Sequence, residues 1–279
     1  MVKKRENSSD AGISDFSTAR KLDCSPGIGA RTLWGGAKNL WNHLVRERRC
    51  PACTAVFMPG NRDGESAIFC RACALALKRR EKGYCPNCGE PAAWPELPLA
   101  PCLRCLATPP LWDTFLFHGV HQGLLQKLLL KLKFHGQVVL AHPLGRLLAQ
   151  HPDLVGLSAD CVLPIPLHPS RLAQRGYNQA LELARPLAEQ LNLPCEPDLL
   201  ERTRATLPQA GASLAVRQQN TWGAFSAPGG VRGAKLLLLD DIVTSGSTLT
   251  AATSALLEAG ASSVIAVVAS RTARLCQSW

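Results

Sequence analysis

The chain has no apolar run that could cross a bilayer. The nearest candidate, Leu124–Leu132, is interrupted by Lys127 and Lys131, whereas a span needs about 18 or more consecutive apolar residues. The N-terminal stretch holds charges and serines but no apolar core, so no signal peptide is expected. No unit of roughly 20–50 residues recurs, which excludes a repeat array. These absences lead us to expect a cytoplasmic protein without a membrane span. Aromatic residues are scarce, at 5%. Hydrophobic residues nonetheless reach 46% of 279, enough to build a core in one or two domains.

Acidic residues are outnumbered, and the net charge is +10. Residues 1–49 contain ten Lys/Arg and five Asp/Glu, a balance of +5. Half of the excess therefore sits in a segment with weak periodicity. Nucleic acid is a permitted partner on this balance, not a required one, and a solvated basic tail gives the same count. Residues 1–45 read as a disordered basic tail, with a short helix expected near Leu33–Arg48.

Cysteine is the residue present in excess. Eight of the twelve form four CxxC pairs: Cys50/Cys53, Cys70/Cys73, Cys85/Cys88 and Cys102/Cys105. In a cytosolic chain such spacing reads as zinc ligation rather than disulfide bonding. A CxxC turn offers two thiolates to one ion, and two turns complete a tetrahedral four-cysteine site. Sequential pairing gives two zinc ribbons over residues 46–110, and interleaved pairing gives the same ligand count. Four thiolates leave the metal no open position, so the role is structural rather than hydrolytic. Prolines are frequent here and periodicity is weak, so this segment needs metal to fold. Cys24, Cys161, Cys195 and Cys276 stand alone and read as structural or incidental.

From residue 111 to 279 the pattern becomes α/β. Strands are expected at Trp112–Val120, Cys161–Leu167, Lys235–Ile242 and Ser262–Ala269. Helices are expected at Gln122–Phe134, His142–Gln150, Gln179–Leu191 and Ser247–Ala259. Apolar residues at 124, 125, 128, 129 and 132 carry the helical period. Strands alternating with helices imply a parallel sheet covered on both faces.

The most informative stretch is Leu236–Thr250, LLLLDDIVTSGSTLT. An apolar strand delivers two carboxylates, Asp240 and Asp241, to a loop of small and hydroxyl residues that opens a helix. Loop amides and a helix N-terminus suit a phosphate, and small side chains let it approach. The carboxylates suit ribose hydroxyls or Mg2+.

This stretch resembles the phosphoribosyl pyrophosphate (PRPP) motif of type I phosphoribosyltransferases. The wider chain is similar to the ComF/GntX family of competence-associated proteins. The resemblance rests on PIPLHPSRLAQRGYNQA at 164–180, RTRATLPQAGASLAVRQQN at 202–220, WGAF at 222–225, LKF at 132–134 and the upstream cysteines. It covers about residues 50–272.

The resemblance implies a type I phosphoribosyltransferase-like sheet preceded by a double zinc ribbon, two structural Zn ions, and Mg2+ with PRPP. Asp240 and Asp241 would meet the ribose hydroxyls and help place Mg2+. Thr244, Ser245, Gly246, Ser247 and Thr248 would hold the 5′-phosphate. The family usually has Thr-Thr-Gly where this chain has Thr244-Ser245-Gly246, and the hydroxyl is kept. Arg171 and Arg175 would face pyrophosphate, Arg204 and Arg217 would lie in a mobile loop over the site, and Lys133 would reach a phosphate. His135 and His168 read as non-catalytic.

No element that would read a nucleobase is identifiable. Mg2+-dependent phosphoribosyl transfer to an unnamed acceptor is therefore one expectation. A non-catalytic competence factor handling single-stranded DNA with DNA-uptake proteins is a second, with Trp94 and Trp112 as exposed stacking aromatics. A PRPP-sensing regulator is a third.

Overall fold

The computed structural model describes residues 47–59, 67–204 and 223–273. The expected basic tail, 1–45, lies outside the described residues. So does nearly all of the helix expected near Leu33–Arg48, and Arg48 itself is in a strand. That strand, β1 (Arg48–Arg49), pairs antiparallel with β2 (Val56–Phe57), bracketing the first CxxC turn.

The cysteine segment holds two short helices that its weak periodicity did not reveal. Helix α1 (Arg71–Ala76) starts immediately after Cys70, and α2 (Leu103–Ala107) immediately after Cys102. Each therefore begins at the third cysteine of its set, and that cysteine is the extended N-cap in both. Helices of six and five residues are too short to be stable by propensity alone. Their position within CxxC turns explains why no apolar period marks them.

The sheet has four parallel strands in the order β3 (Thr114–Val120), β8 (Ser263–Arg271), β7 (Lys235–Val243), β4 (Cys161–Pro164). Leu236–Leu239 are consecutive and each 0% exposed. Successive strand residues point to opposite faces, so both faces of β7 are covered. This is the burial expected of a parallel sheet.

Helix α3 (Gly123–Phe134) buries Leu125, Leu128, Leu129 and Leu132 on the predicted face. Helices α4 (Ala141–Ala149) and α6 (Gln179–Leu191) pack on each other; α6 lies against β4 and β7, and α4 reaches β8. At their crossing a Cβ on Gly145 would come 2.4 Å from Pro186 Cγ and 2.5 Å from the Leu183 carbonyl oxygen, so only glycine permits that approach. Helix α7 (Ser247–Glu258) packs against β7 and β8.

Strand β4 stops at Pro164, short of the expected Leu167, because Pro166 lacks the N–H a ladder needs. The PIPLHPSR stretch then becomes a helix, α5 (Pro169–Arg175), with Pro169 at its first position and the His168 ring accepting from Ser170 N–H. His168 is thus a helix cap. A short antiparallel pair, β5 (Glu201–Arg202) and β6 (Phe225–Ser226), was not evident from periodicity.

The described residues from Glu47 onward form one compact unit. Among the described residues no helix is long and apolar enough to cross a membrane.

Candidate functional site

A cavity of about 880 Å³ opens at the carboxyl ends of the parallel strands, where open α/β sheets carry their ligands. Strand β7 contributes Asp240 and Asp241, and the following loop contributes Thr244, Ser245 and Gly246. Helix α7 adds Thr248, α3 adds Lys133, and α5 adds Arg171 and Arg175. The site residues expected from sequence are therefore largely brought together. Ser247 is the exception within the loop. It is buried behind the lining, its hydroxyl 2.8 Å from that of Ser245. Arg204 is exposed and outside the lining, and Arg217 lies outside the described residues.

The two carboxylates are buried side by side, and their charges are handled differently. Asp240 Oδ1 accepts the backbone N–H of Asp241 at 2.8 Å. Burial, and then the neighbouring Asp241 charge, push the Asp240 carboxyl up to about 8. Burial is the largest influence on the Asp241 carboxyl and opposes its charge, but the Lys133 ammonium and hydrogen bonds from the Asp240 side chain and the Ile242 N–H together outweigh it and hold that carboxyl below its usual range. Lys133 Nζ sits 3.0 Å from Asp241 Oδ2 and 3.4 Å from Oδ1. Lys133 therefore engages a carboxylate rather than standing alone in the cavity.

The same cavity is also lined by cationic side chains. Arg175 donates to Gln179 Oε1 and lies 5.7 Å over the Phe134 ring. Arg202, which the sequence reading did not single out, joins Arg171 and Arg175 in the lining. Its guanidinium lies 5.2 Å over the Phe225 ring, held there by the β5–β6 pair. Burial, and then the Arg171 charge, lower its pKa, with Asp240 opposing. His121, just past β3, is a second residue missed. Its Nδ1 is 2.9 Å from Ser270 Oγ, and burial followed by the Lys133 charge lowers its pKa. Position past a strand's carboxyl end was the one signal that could have flagged it.

The loop's backbone is held from behind. Gly246 is left-handed, with φ 83°, a conformation that favours glycine, and it N-caps α7 without a side-chain cap bond. Arg271 donates to the carbonyls of Val243, at 3.2 Å, and of Thr244. Arg104 donates to the Ser245 carbonyl at 3.0 Å.

The cysteines gather as two separate sets, Cys50/Cys53/Cys70/Cys73 and Cys85/Cys88/Cys102/Cys105, with sulfurs within 4.8 Å of one another in each. The pairing is sequential. Across the pairs, Cys53 Sγ lies 3.7 Å from Cys70 Sγ and Cys88 Sγ 3.8 Å from Cys102 Sγ. A tetrahedron with metal–sulfur bonds of about 2.3 Å has an edge of about 3.8 Å, so the donor sets fit a four-thiolate metal. Trp112, expected to be an exposed aromatic, is instead buried, its indole N–H donating to the Asn87 carbonyl at 2.7 Å. It fills the joint between the second cysteine set and the sheet. Trp94 is exposed.

A parallel sheet with this carboxylate-bearing strand and loop is that of a phosphoribosyltransferase-like protein, and residues 178–275 match the phosphoribosyl transferase domain family. The DNA utilization protein YhgH of Salmonella typhimurium is 36% identical over 201 residues, covering 70% of this chain and 87% of that protein. Competence protein F of Haemophilus influenzae is 30% identical over 190 residues, covering 65% and 80%. The chain belongs to this competence-associated ComF family. Among solved structures, a glutamine PRPP amidotransferase from B. subtilis complexed with ADP and GMP is 27% identical with a TM-score of 0.33. The match covers 46% of this chain and a quarter of that one, at 25%.

Proposed function

We propose that the cavity binds PRPP together with Mg2+, and that two zinc ions hold the cysteine sets as structural centres. The observation that carries this reading is the buried Asp240–Asp241 pair beside the 244–248 loop, in one cavity with Arg171, Arg175 and Arg202. The loop amides would take the 5′-phosphate and the carboxylates the ribose hydroxyls. The arginines would stabilise pyrophosphate, whose departure leaves positive character at C1 that the carboxylates would offset. Mg2+ would supply further neutralisation of the diphosphate. Lys133 would keep one carboxylate ionised until the ligand arrives.

Transfer of the phosphoribosyl group to an acceptor is the activity this arrangement would support. The acceptor class follows from no residue in the lining. The relatives' names, a DNA utilization protein and a competence protein, favour a setting in which single-stranded DNA would be the partner. Exposed Trp94 would offer a base a stacking surface.

The test is titration calorimetry with PRPP and Mg2+, wild type against Asp240→Asn and Asp241→Asn. Saturable binding in the wild type that either substitution weakens at least about tenfold, or about 1.4 kcal/mol, supports the reading. An absence of binding by the metal-loaded wild type ends it. Pyrophosphate release, screened with nucleobases and single-stranded DNA, then separates an enzyme from a sensor.

A further inference from the structure

The second cysteine set and the 244–248 loop are far apart in sequence but joined by side chains that the proposed chemistry leaves unused. Arg104 stands between Cys102 and Cys105 on α2, and its guanidinium donates to the Ser245 carbonyl. Glu90 directly follows the Cys85–Gly89 turn, and its carboxylate accepts from Arg271, whose side chain is 1% exposed. Arg271 in turn donates to the Val243 and Thr244 carbonyls. Three successive carbonyls, the last of β7 and the first two of the loop, are thus held by two guanidiniums, with the Thr272 N–H also donating to the first. One guanidinium is carried by the second cysteine set, and the other is anchored to it.

In a trans peptide the C=O of one residue and the N–H of the next point in opposite directions. Holding the carbonyls of 243 and 244 on the Arg271 side and that of 245 on the Arg104 side therefore turns the amides of 244, 245 and 246 away from those guanidiniums, and all three of those residues line the cavity. Trp112 completes the joint, its ring 3.6 Å from where a Cβ on Gly246 would stand. The first cysteine set has a different attachment. Its helix carbonyl at Leu77 meets the His118 ring, and Arg80 N–H donates to the His118 carbonyl on β3.

We propose that Arg104, Glu90 and Arg271 are positioning residues that hold the anion loop in its ligand-ready form, and that the metal in the second cysteine set, not the first, controls that hold. With Arg271 buried and Glu90 half-buried, their pair is more than an exposed ion pair, which is worth little, and each guanidinium-to-carbonyl bond is charge-assisted. This rests on the PRPP reading only for the identity of the ligand. The loop geometry stands without it.

The experiment is amide hydrogen exchange in the zinc-loaded full chain at Ser247 and Thr250, whose N–H groups donate to Ser245 Oγ and the Gly246 carbonyl and so report on the loop's hold, alongside titration with PRPP and Mg2+. Arg104→Gln and Glu90→Gln leave every cysteine in place. Each is expected to speed exchange at those two amides about tenfold, the loss of one charge-assisted hydrogen bond, while β8 stays protected. Arg104→Lys, which retains a donor and charge, restores most of the protection. Cys102→Ser speeds exchange as much or more, and Cys53→Ser leaves it unchanged. Unaltered exchange in both Arg104→Gln and Glu90→Gln overturns the proposal, as does an equal response to Cys53→Ser and Cys102→Ser. Absence of PRPP binding in the wild type would sink the ligand assignment alone, because the exchange comparison still decides whether the loop is held.

Discussion

The cysteine module and the parallel sheet sit in one compact unit but are held by different forces. In the sheet, Leu236–Leu239 and most of β8 are fully buried, and the ordering entropy is offset by apolar area taken from water. In the module, strands of two residues and helices of five or six leave Leu75, Leu103 and Leu106 mostly exposed. That segment has too little buried area to order itself. The comparison teaches that two sorts of cohesion, metal–thiolate and hydrophobic, meet at a single joint around Trp112, and that the candidate site borders that joint.

The largest effect should come from removing metal. Structural zinc contributes roughly 10–16 kcal/mol to folding in zinc-finger peptides. Chelation should therefore abolish exchange protection across the described part of 47–110 while β7 and β8 keep theirs. If sheet and module lost protection together at the same chelator concentration, the distinction between them would be broken.

A core substitution probes the other side. Leu238→Ala, at a position with 0% exposure in the middle of β7, should cost about 2–5 kcal/mol in denaturant unfolding. Zinc content per chain, measured on the folded protein, should not change. A fall in bound zinc at unchanged folded fraction would mean that the two regions share their stability.

This division also explains what the sequence could and could not reveal. Hydrophobic periodicity reports burial, so β7, α3, α6 and α7 were legible to within about two residues. The carboxylate pair and the loop were legible because their chemistry is contiguous in the chain. Helices α1 and α2 carry no apolar period, since thiolates rather than a buried face position them. Helix α5 was hidden because prolines at 164, 166 and 169 break the apolar period, although Pro169 is its first residue. Arg202, Arg104 and Arg271 join the site through contacts of long sequence separation, and only the fold reveals them. Trp112 was misjudged for the same reason: whether an indole is a stacking surface or a joint filler depends on neighbours such as Asn87.

The helical layer gives a smaller, purely steric test. Gly145→Val should cost about 1–3 kcal/mol by overpacking against Pro186 and the Leu183 carbonyl, read as a lowered denaturation midpoint. Its effect should stay in the sheet's half of the molecule. Slowed or unchanged exchange in the module would sharpen the comparison, and accelerated exchange there would blunt it.

The two regions also treat buried negative charge differently, which yields the last and smallest prediction. Thiolates in the module would be neutralised by metal. In the sheet, Asp241 is neutralised by Lys133 and Asp240 by a proton, because burial and the Asp241 charge raise its carboxyl from 3.8 to about 8. Below 3.8 both folded and unfolded chains carry that proton. Between 3.8 and about 8 the folded chain holds it and the unfolded chain does not, so folding stability from this group falls as pH rises through that window. Asp241 runs the other way: its lowered carboxyl contributes stability above its usual range, which is lost as pH falls through the depressed value. Asp240→Asn removes the first slope and leaves Lys133, the larger support of the Asp241 charge, in place for the second. Its melting temperature should gain on the wild type as pH climbs toward 8, by about 2–4 °C for each kcal/mol relieved in a chain of this size. The same substitution should weaken binding of PRPP with Mg2+, whose affinity in the wild type should grow over that window as the proton is displaced and level off above it. Parallel melting curves for the two proteins from pH 4 to 8 would mean that Asp240 is already ionised in the folded chain, and that the sheet, like the module, neutralises its buried acids with a cation alone.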